Sequence, residues 1–418
     1  MRILMLVWTG VSTDTRVLRE ATALVAAGHA VHIIGRGVPT DYTPPAGITV
    51  VSCGVAPLAQ GRTRRLSPPE RLLRWALLPW HVDRRVRRWA EAARSRALDW
   101  AAEHGAPDVV HAHDYTALTL GDDLARAWDV PLIYDTHEYW VGRPTEGRPT
   151  PLRSRREQRA EAALGRRAAA VITVGDGVAA ALRRDHPDWP PIAVVHNSFP
   201  TPTDPEPVSS PPTGAVYAGR LARDRELETI AAASRLTTVP LTLIGPGDQS
   251  WLRTFDPGRC SVEDAVPVEE VGARLAAAGL ALVTHSDVWD NHRLAMPNKL
   301  FQALSLGIPV VATDVGELGA FVRRHRCGTL YRPGDPASLA TALRAATTDH
   351  AALASAAAQA GRQVSWCRDR DTLLGVYAEV LPGEDTAPDA APVPTAADSP
   401  APGRPDPPTT ATDESTHA

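Results

Sequence analysis

Arg2-Ile3-Leu4-Met5-Leu6-Val7, then Val17, Leu18, Ala21, Leu24 and Val25 at helical spacing before Gly28, then Val31-His32-Ile33-Ile34, read as strand, helix and strand. The apolar runs do not alternate with polar residues, so both faces of each strand are covered, as in a parallel sheet. Gly28 supplies the helix stop. The same signal continues in strand-like runs at 48–51, 109–112, 132–134 and 171–174, with helical segments between them. Such alternation predicts a doubly wound parallel α/β sheet.

Phe199-Pro200-Thr201-Pro202-Thr203-Asp204-Pro205-Glu206-Pro207, with Pro211-Pro212 after it, breaks the pattern as a proline-rich connector. The theme then returns. Ala215-Val216-Tyr217-Ala218 runs into Gly219, and Leu241-Thr242-Leu243-Ile244 runs into Gly245-Pro246-Gly247. Apolar runs at 280–283 and 309–312 follow. The expected organisation is a Rossmann-like domain at 1–198, a linker at 199–213 and a second Rossmann-like domain at 214–365. A helix at 366–382 then returns to the first domain, and an acidic Pro/Ala/Thr-rich tail spans 383–418. That tail carries seven acids and one arginine with almost no large apolar residue, so it reads as disordered. Two such domains face a cleft, and ligands bind at the carboxyl ends of their strands.

Length and composition bound the rest. At 418 residues, 44% hydrophobic and 22% charged, the chain has the makeup of a soluble globular protein with room for two cores. The cysteines, Cys53, Cys260, Cys327 and Cys367, are scattered without a CxxC pair. That argues against zinc and against a disulfide framework, and fits a reducing, cytoplasmic setting. The apolar start breaks at Thr9-Gly10, too early for a signal peptide, and no stretch approaches the length of a membrane span.

Of 44 basic residues, Lys299 is the one lysine. It stands in Met296-Pro297-Asn298-Lys299-Leu300-Phe301, where Pro297, the spacing of Leu300, Phe301 and Leu304, and Gly307 predict a helix that begins beside it. An ammonium is a compact point charge, unlike the wide guanidinium fork. A cation at a helix N-terminus opposes the macrodipole unless an anion joins it. The functional reading is a phosphate or pyrophosphate site; the bland one is a stray lysine on a solvated turn.

Several motifs follow the strands. Gly219-Arg220-Leu221, with Arg225 and Glu228 beyond it, is one; Gly245-Pro246-Gly247 is another; Pro297-Asn298-Lys299-Leu300-Phe301-Gln302 through Gly307-Ile308-Pro309-Val310 is the longest. The first half adds Asp14-Thr15-Arg16-Val17, His111-Ala112-His113-Asp114, Tyr134-Asp135-Thr136-His137-Glu138 and Val195-His196-Asn197. In order and spacing over 1–382 these resemble the GT-B-fold, retaining, nucleotide-sugar-dependent glycosyltransferases of family 4 (glycosyl transferases group 1).

The resemblance implies transfer of a sugar from a nucleoside-diphosphate donor, UDP favoured, to a glycan, glycolipid or secondary-metabolite acceptor. It implies no cofactor and no metal, because fixed cations neutralise the leaving diphosphate. Arg220, Arg225 and Lys299 would bind the donor phosphates. Gly245 and Gln302 would meet the nucleoside and ribose. His113 and Glu138 would be catalytic, with Glu138 binding or polarising the acceptor hydroxyl. Alternatives stand beside each role. Arg220 and Arg225 could pair with Glu226 or Glu228, His113 could be a core histidine, and Glu138 could belong to a helix-capping network. The family often places two glutamates ahead of the Gly-x-Pro-Val turn, where this chain has Leu294 and Gln302. Asp287, Asp290 or Glu317 could compensate. Two rival functions follow: a nucleotide-sugar epimerase of GT-B architecture, and a catalytically silent sugar-nucleotide-binding scaffold.

Residues 62–96 hold eleven arginines against three acids, interleaved with Trp75, Trp80, Trp89 and leucines. One reading is a peripheral contact with the anionic inner face of a membrane. The other is an insertion whose apolar residues pack on the first sheet while the arginines face water. No recognition motif supports nucleic acid.

Overall fold

The computed structural model describes residues 1–54, 68–143, 151–202, 208, 210–222, 225–247 and 249–381. The first sheet is built from β1 (Arg2–Val7), β2 (Ala30–Gly35), β3 (Ile48–Ser52), β4 (Val109–His113), β5 (Leu132–Thr136), β6 (Ala170–Thr173) and β7 (Ile192–Val194). All its pairings are parallel, in the order β3-β2-β1-β4-β5-β6-β7. Its helices are α1 (Thr15–Ala26), α2 (Pro68–His104), α3 (Asp114–Trp128), α4 (Pro151–Gly165) and α5 (Asp176–Asp185).

The second sheet comprises β8 (Gly214–Ala218), β9 (Leu241–Ile244), β10 (Ser261–Glu263), β11 (Gly279–Val283), β12 (Val310–Thr313) and β13 (Gly328–Tyr331). It too is parallel, in the order β10-β9-β8-β11-β12-β13. Around it lie α6 (Leu227–Ala233), α7 (Gln249–Leu252), α8 (Val268–Ala278), α9 (Asp290–Leu294), α10 (Asn298–Ser305) and α11 (Gly316–His325), then α12 (Pro336–Thr348) and α13 (His350–Gln363). Strand order reverses between β1 and β4 in one sheet and between β8 and β11 in the other. Those are the points where a doubly wound sheet leaves a crevice.

The sequence reads the apolar strands well because each is buried on both faces, as Ile3 through Val7 and Val310 through Ala312 are. It misses the short edge strands: β10, whose Ser261, Val262 and Glu263 have no apolar run to signal them, and β7 and β13, each with one buried residue.

The last helix, α14 (Trp366–Val380), covers the first sheet although it follows the second in the chain. Leu373, Val376 and Tyr377 are buried with Ile3, Met5 and Ile33. Asp369 anchors it, accepting from Ser198 Oγ and lying 3.0 Å from His196 Nδ1.

In α2, Trp89, Ala93 and Ala97 share one helical face and pack into the first core, while Arg84, Arg85, Arg87, Arg88, Arg94 and Arg96 are exposed. There the apolar residues pack inward and the arginines face water. Leu72, Leu73, Trp75, Leu77, Leu78 and Trp80 lie outside the described side chains, and 383–418 lie outside the described residues. No helix among the described residues is long and apolar enough to cross a membrane.

Candidate active site

At the end of β8 the chain turns through Gly219 (φ 151°), and at the end of β9 through Gly245 (φ 147°). Neither tolerates a side chain. A Cβ on Gly245 would sit 2.1 Å from the Gly219 carbonyl oxygen. A Cβ on Gly219 would sit 2.6 Å from both Cε and Nζ of Lys299. The two glycines thus clear a slot for the Lys299 ammonium.

Lys299 lies in the first turn of α10, after Pro297 at the N-cap, and its Nζ is 4.8 Å from the centre of the Tyr217 ring. Burial, and then the nearby Arg225 guanidinium, pull its pKa down to about 8. The charge that acts on this ammonium is another cation. Arg225 is half-buried, and its carbonyl accepts from Thr284 Oγ1 (3.0 Å) at the end of β11. The two cations therefore flank the switch point of the second sheet.

Arg220 is exposed directly after Gly219, with its carbonyl accepting from the Tyr217 hydroxyl (3.0 Å). Two acids lie close in sequence to these arginines. Glu226 accepts from Thr229 (3.0 Å) and from the Gly334 amide (2.8 Å), and Glu228 from Trp251 (3.3 Å). Gln302 is half-buried one turn after Lys299, which puts both on one face of α10. Asp287 and Asp290 are tied to Arg293 at 2.6 and 3.1 Å. Glu317 packs against Gly177 of the first half.

The opposing wall comes from the ends of β4 and β5. His113 and Asp135 are fully buried, and the ring that reaches the cleft belongs to His137. His137 lies between two carboxylates, with Nε2 3.3 Å from Asp135 and Nδ1 3.4 Å from Asp114. Burial opposes its charging, but Asp114 and Asp135 prevail and raise its pKa to about 10. Asp114 also accepts from the His137 amide (3.0 Å) while holding a left-handed φ of 61° at the start of α3.

His113 thus takes the core alternative. Burial lowers its pKa against the pull of Asp135, and its Nδ1 is 3.1 Å from His137 Nε2. It supports His137 from below. The sequence assigns roles to His113 and Glu138 and none to His137, since only the fold shows which ring emerges.

Glu20, His111, His113 and Asp135 bring possible ligand atoms within 4.8 Å of one another. A cation already fills that centre. The Arg16 guanidinium holds Asp135 by two bonds of 2.9 Å, and its Nε is 3.0 Å from Glu20. A divalent ion there would face a fixed buried charge of the same sign, so the group does not fit a metal.

Glu138 follows His137 and caps no helix among the described residues. One carboxylate oxygen is 3.8 Å from Arg143, and the other accepts from Asn291 (3.2 Å) of α9. Burial first, then the neighbouring Asp114, raise its pKa to about 7.

Two cavities meet these residues. One of about 380 Å³ lies between the halves, lined by Thr9, Asp14, Arg16, His137 and Asn197 on one side and Asn298, next to Lys299, on the other. A larger one of about 680 Å³ is walled by α2, α3 and α4, with Trp8, Tyr115 and Trp140 in its lining and Glu138 at one end. Small-molecule sites have volumes of this order.

Residues 12–198 match the family model described as Glycosyl transferase 4-like domain, and residues 213–349 match Glycosyl transferases group 1. Glycogen synthase of Mycobacterium tuberculosis (strain ATCC 25618 / H37Rv) is 30% identical over 402 residues, covering 91% of this chain and 94% of that one. D-inositol 3-phosphate glycosyltransferase of Geodermatophilus obscurus is 30% identical over 164 residues, 39% of this chain and 31% of that one. Among solved structures, sucrose-phosphate synthase from Thermosynechococcus elongatus superposes with a TM-score of 0.66 at 18% identity, over 91% of this chain and 99% of that one. Anabaena HepE in complex with UDP-glucose superposes with a TM-score of 0.62 at 16% identity, over 90% and 99%. These superpositions establish the two-domain GT-B fold.

Proposed function

The chain belongs to the group 1, family 4 glycosyltransferases of GT-B fold, and on that premise we propose that it transfers a sugar, with retention, from a nucleoside-diphosphate donor to a hydroxyl acceptor. The observation that carries the donor half is the Lys299 ammonium, half-buried at a helix N-terminus, pressed to the Gly219 backbone and facing a second cation, Arg225. A desolvated ammonium with a like charge near it is stabilised when an anion binds beside it. A pyrophosphate does so, and its charge grows as the glycosidic bond breaks, so the cations bind the transition state more tightly than the ground state. Arg220 adds a third, more exposed cation. Gly245 and Gln302 lie where the nucleoside and ribose follow. UDP is favoured as the nucleotide, in keeping with the UDP and UDP-glucose complexes of HepE.

The donor sugar then occupies the cavity between the halves, beside the His137 imidazolium. The acceptor enters the larger cavity and presents its hydroxyl at Glu138. In a same-face reaction the bond from the anomeric carbon to the phosphate oxygen breaks. The acceptor oxygen bonds to that carbon from the same side, and its proton passes to the departing phosphate. No separate base is required, and Glu138 orients the hydroxyl.

Nucleoside diphosphate release from UDP-, GDP- and TDP-sugars, followed with and without maltotetraose, simple glycosides and phosphatidylinositol as acceptors, tests the reading. Acceptor-dependent release supports transfer, isomerised donor points to an epimerase, and binding without turnover to a silent scaffold.

A further inference from the structure

One side chain of the second half holds two neighbouring groups of the first, the Glu138 carboxylate and the Tyr139 amide. Asn291 sits on α9, five residues before the Met296-Pro297-Asn298-Lys299 turn of the second half, and is buried. Its Oδ1 accepts from the Tyr139 amide at 2.9 Å, and its Nδ2 donates to the Glu138 carboxylate at 3.2 Å. A carboxamide suits this task because it donates at one end and accepts at the other. The surrounding surfaces are in close contact. A Cβ on Gly142 would fall 2.9 Å from Asp290 Cβ, and one on Gly177 would fall 2.7 Å from the Leu294 carbonyl oxygen. Gly316 in turn packs on Arg293, where a Cβ would lie 1.9 Å from the carbonyl oxygen. The segment carrying Asn291 is therefore wedged between the first half and α11.

We propose that Asn291 is a positioning residue, a latch from the donor half that fixes the Glu138 carboxylate at the acceptor cavity only while the two halves are closed. The proposal rests on the glycosyltransfer reading for its purpose, but the latch itself rests on the two hydrogen bonds. It explains how the enzyme aligns its acceptor group when Glu138 belongs to one half and the donor phosphates to the other. Closing the cleft places the amide, the amide places the carboxylate, and an open cleft leaves the acceptor hydroxyl without its partner.

The charged groups facing Glu138 are Asp114 at the start of α3, Arg143 and the His137 imidazolium. Asp114 disfavours its ionised form, and Arg143 and His137 favour it. The Asn291 N–H adds to the second group, since a hydrogen bond to the charged form stabilises that form. Removing the amide has a defined sign.

The full-length protein, its glutamates labelled with carbon-13, is titrated by NMR, with the Glu138 signal assigned by its loss in Glu138→Gln. Asn291→Ala is expected to raise the Glu138 pKa by about half a unit or more, and the isosteric Asn291→Asp to raise it further, by placing a like charge beside it. UDP affinity by calorimetry is expected to stay within about twofold of wild type. Spin labels at the exposed positions Leu98 and Leu236, one in each half, should show a distance distribution broadened towards longer separations in Asn291→Ala. A Glu138 titration unmoved in Asn291→Asp, or an unchanged distance distribution in Asn291→Ala, would overturn the latch. Failure of the wild type to bind any nucleotide would remove the donor reading and leave the titration result to stand alone.

Discussion

The Lys299 ammonium lies against the backbone of Gly219, close enough that a Cβ there would come within 2.6 Å of its Nζ. A glycine at the end of β8 and a lysine at the start of α10 thus define one slot from opposite directions. The first prediction concerns this pair. Gly219→Ala should displace the ammonium and cost tenfold or more in UDP affinity, about 1.4 kcal/mol. Since Gly219 also holds a positive φ, the fold should lose about 1–3 kcal/mol. Calorimetry and urea denaturation measure the two effects separately.

Lys299→Met should part function from stability. It removes a desolvated charge while keeping most of the side-chain volume. The folded protein should therefore be at least as stable as wild type, while UDP affinity falls by an order of magnitude or more. A destabilised variant with intact affinity would mean that the ammonium serves the fold.

Binding should also depend on pH with a definite sign. With its pKa pulled down to about 8, Lys299 is charged below that pH and neutral above it. A bound diphosphate favours the ammonium and raises this pKa. UDP affinity should therefore fall as pH rises through about 8, with net proton uptake on binding near that pH. Calorimetry in buffers of different ionisation enthalpy reads the uptake directly.

His137 should not titrate in the physiological range. Asp114 and Asp135 raise its pKa to about 10, above the 6.5 of an unfolded histidine. Its contribution to stability is then fully present below about 6.5 and is lost as pH rises through about 10. Ring nitrogen shifts of His137 should stay flat between pH 6 and 9; a midpoint near 6.5 would show that the two carboxylates do not clamp it.

Trp89 should be the anchor of α2. It is 2% exposed and donates to the Gly35 carbonyl. Trp89→Ala should cost about 3–5 kcal/mol, read from the denaturation midpoint. It should also weaken acceptor use more than UDP binding, since α2 lines the larger cavity and not the smaller one.

Part of the candidate site in the second half was legible because its signals are local. A glycine after an apolar run, a proline before a helical stripe and one lysine among arginines can each be read within a few residues. Gly219, Gly245 and Lys299 were singled out in that way, and all three converge at the crevice of the second sheet. The first half was harder. His111, His113 and His137 look alike in sequence, each in or just past an apolar strand. Their burial differs because a two-residue period gives the face of a residue but not whether that face is covered by α14 or opens to the cleft. Asn291 gave no signal, because its partners are 152 and 153 residues away.

Sequence alone determined the α/β class with its parallel sheets and most of their buried strands, since such strands and helix stops are written in short-range periodicity. The tertiary structure decided that His137 rather than His113 meets the cleft, that Arg16 occupies the centre a metal would need, and that Asn291 joins the halves. Those outcomes depend on contacts between residues far apart in the chain, and on the desolvation and charge pairing that such contacts create.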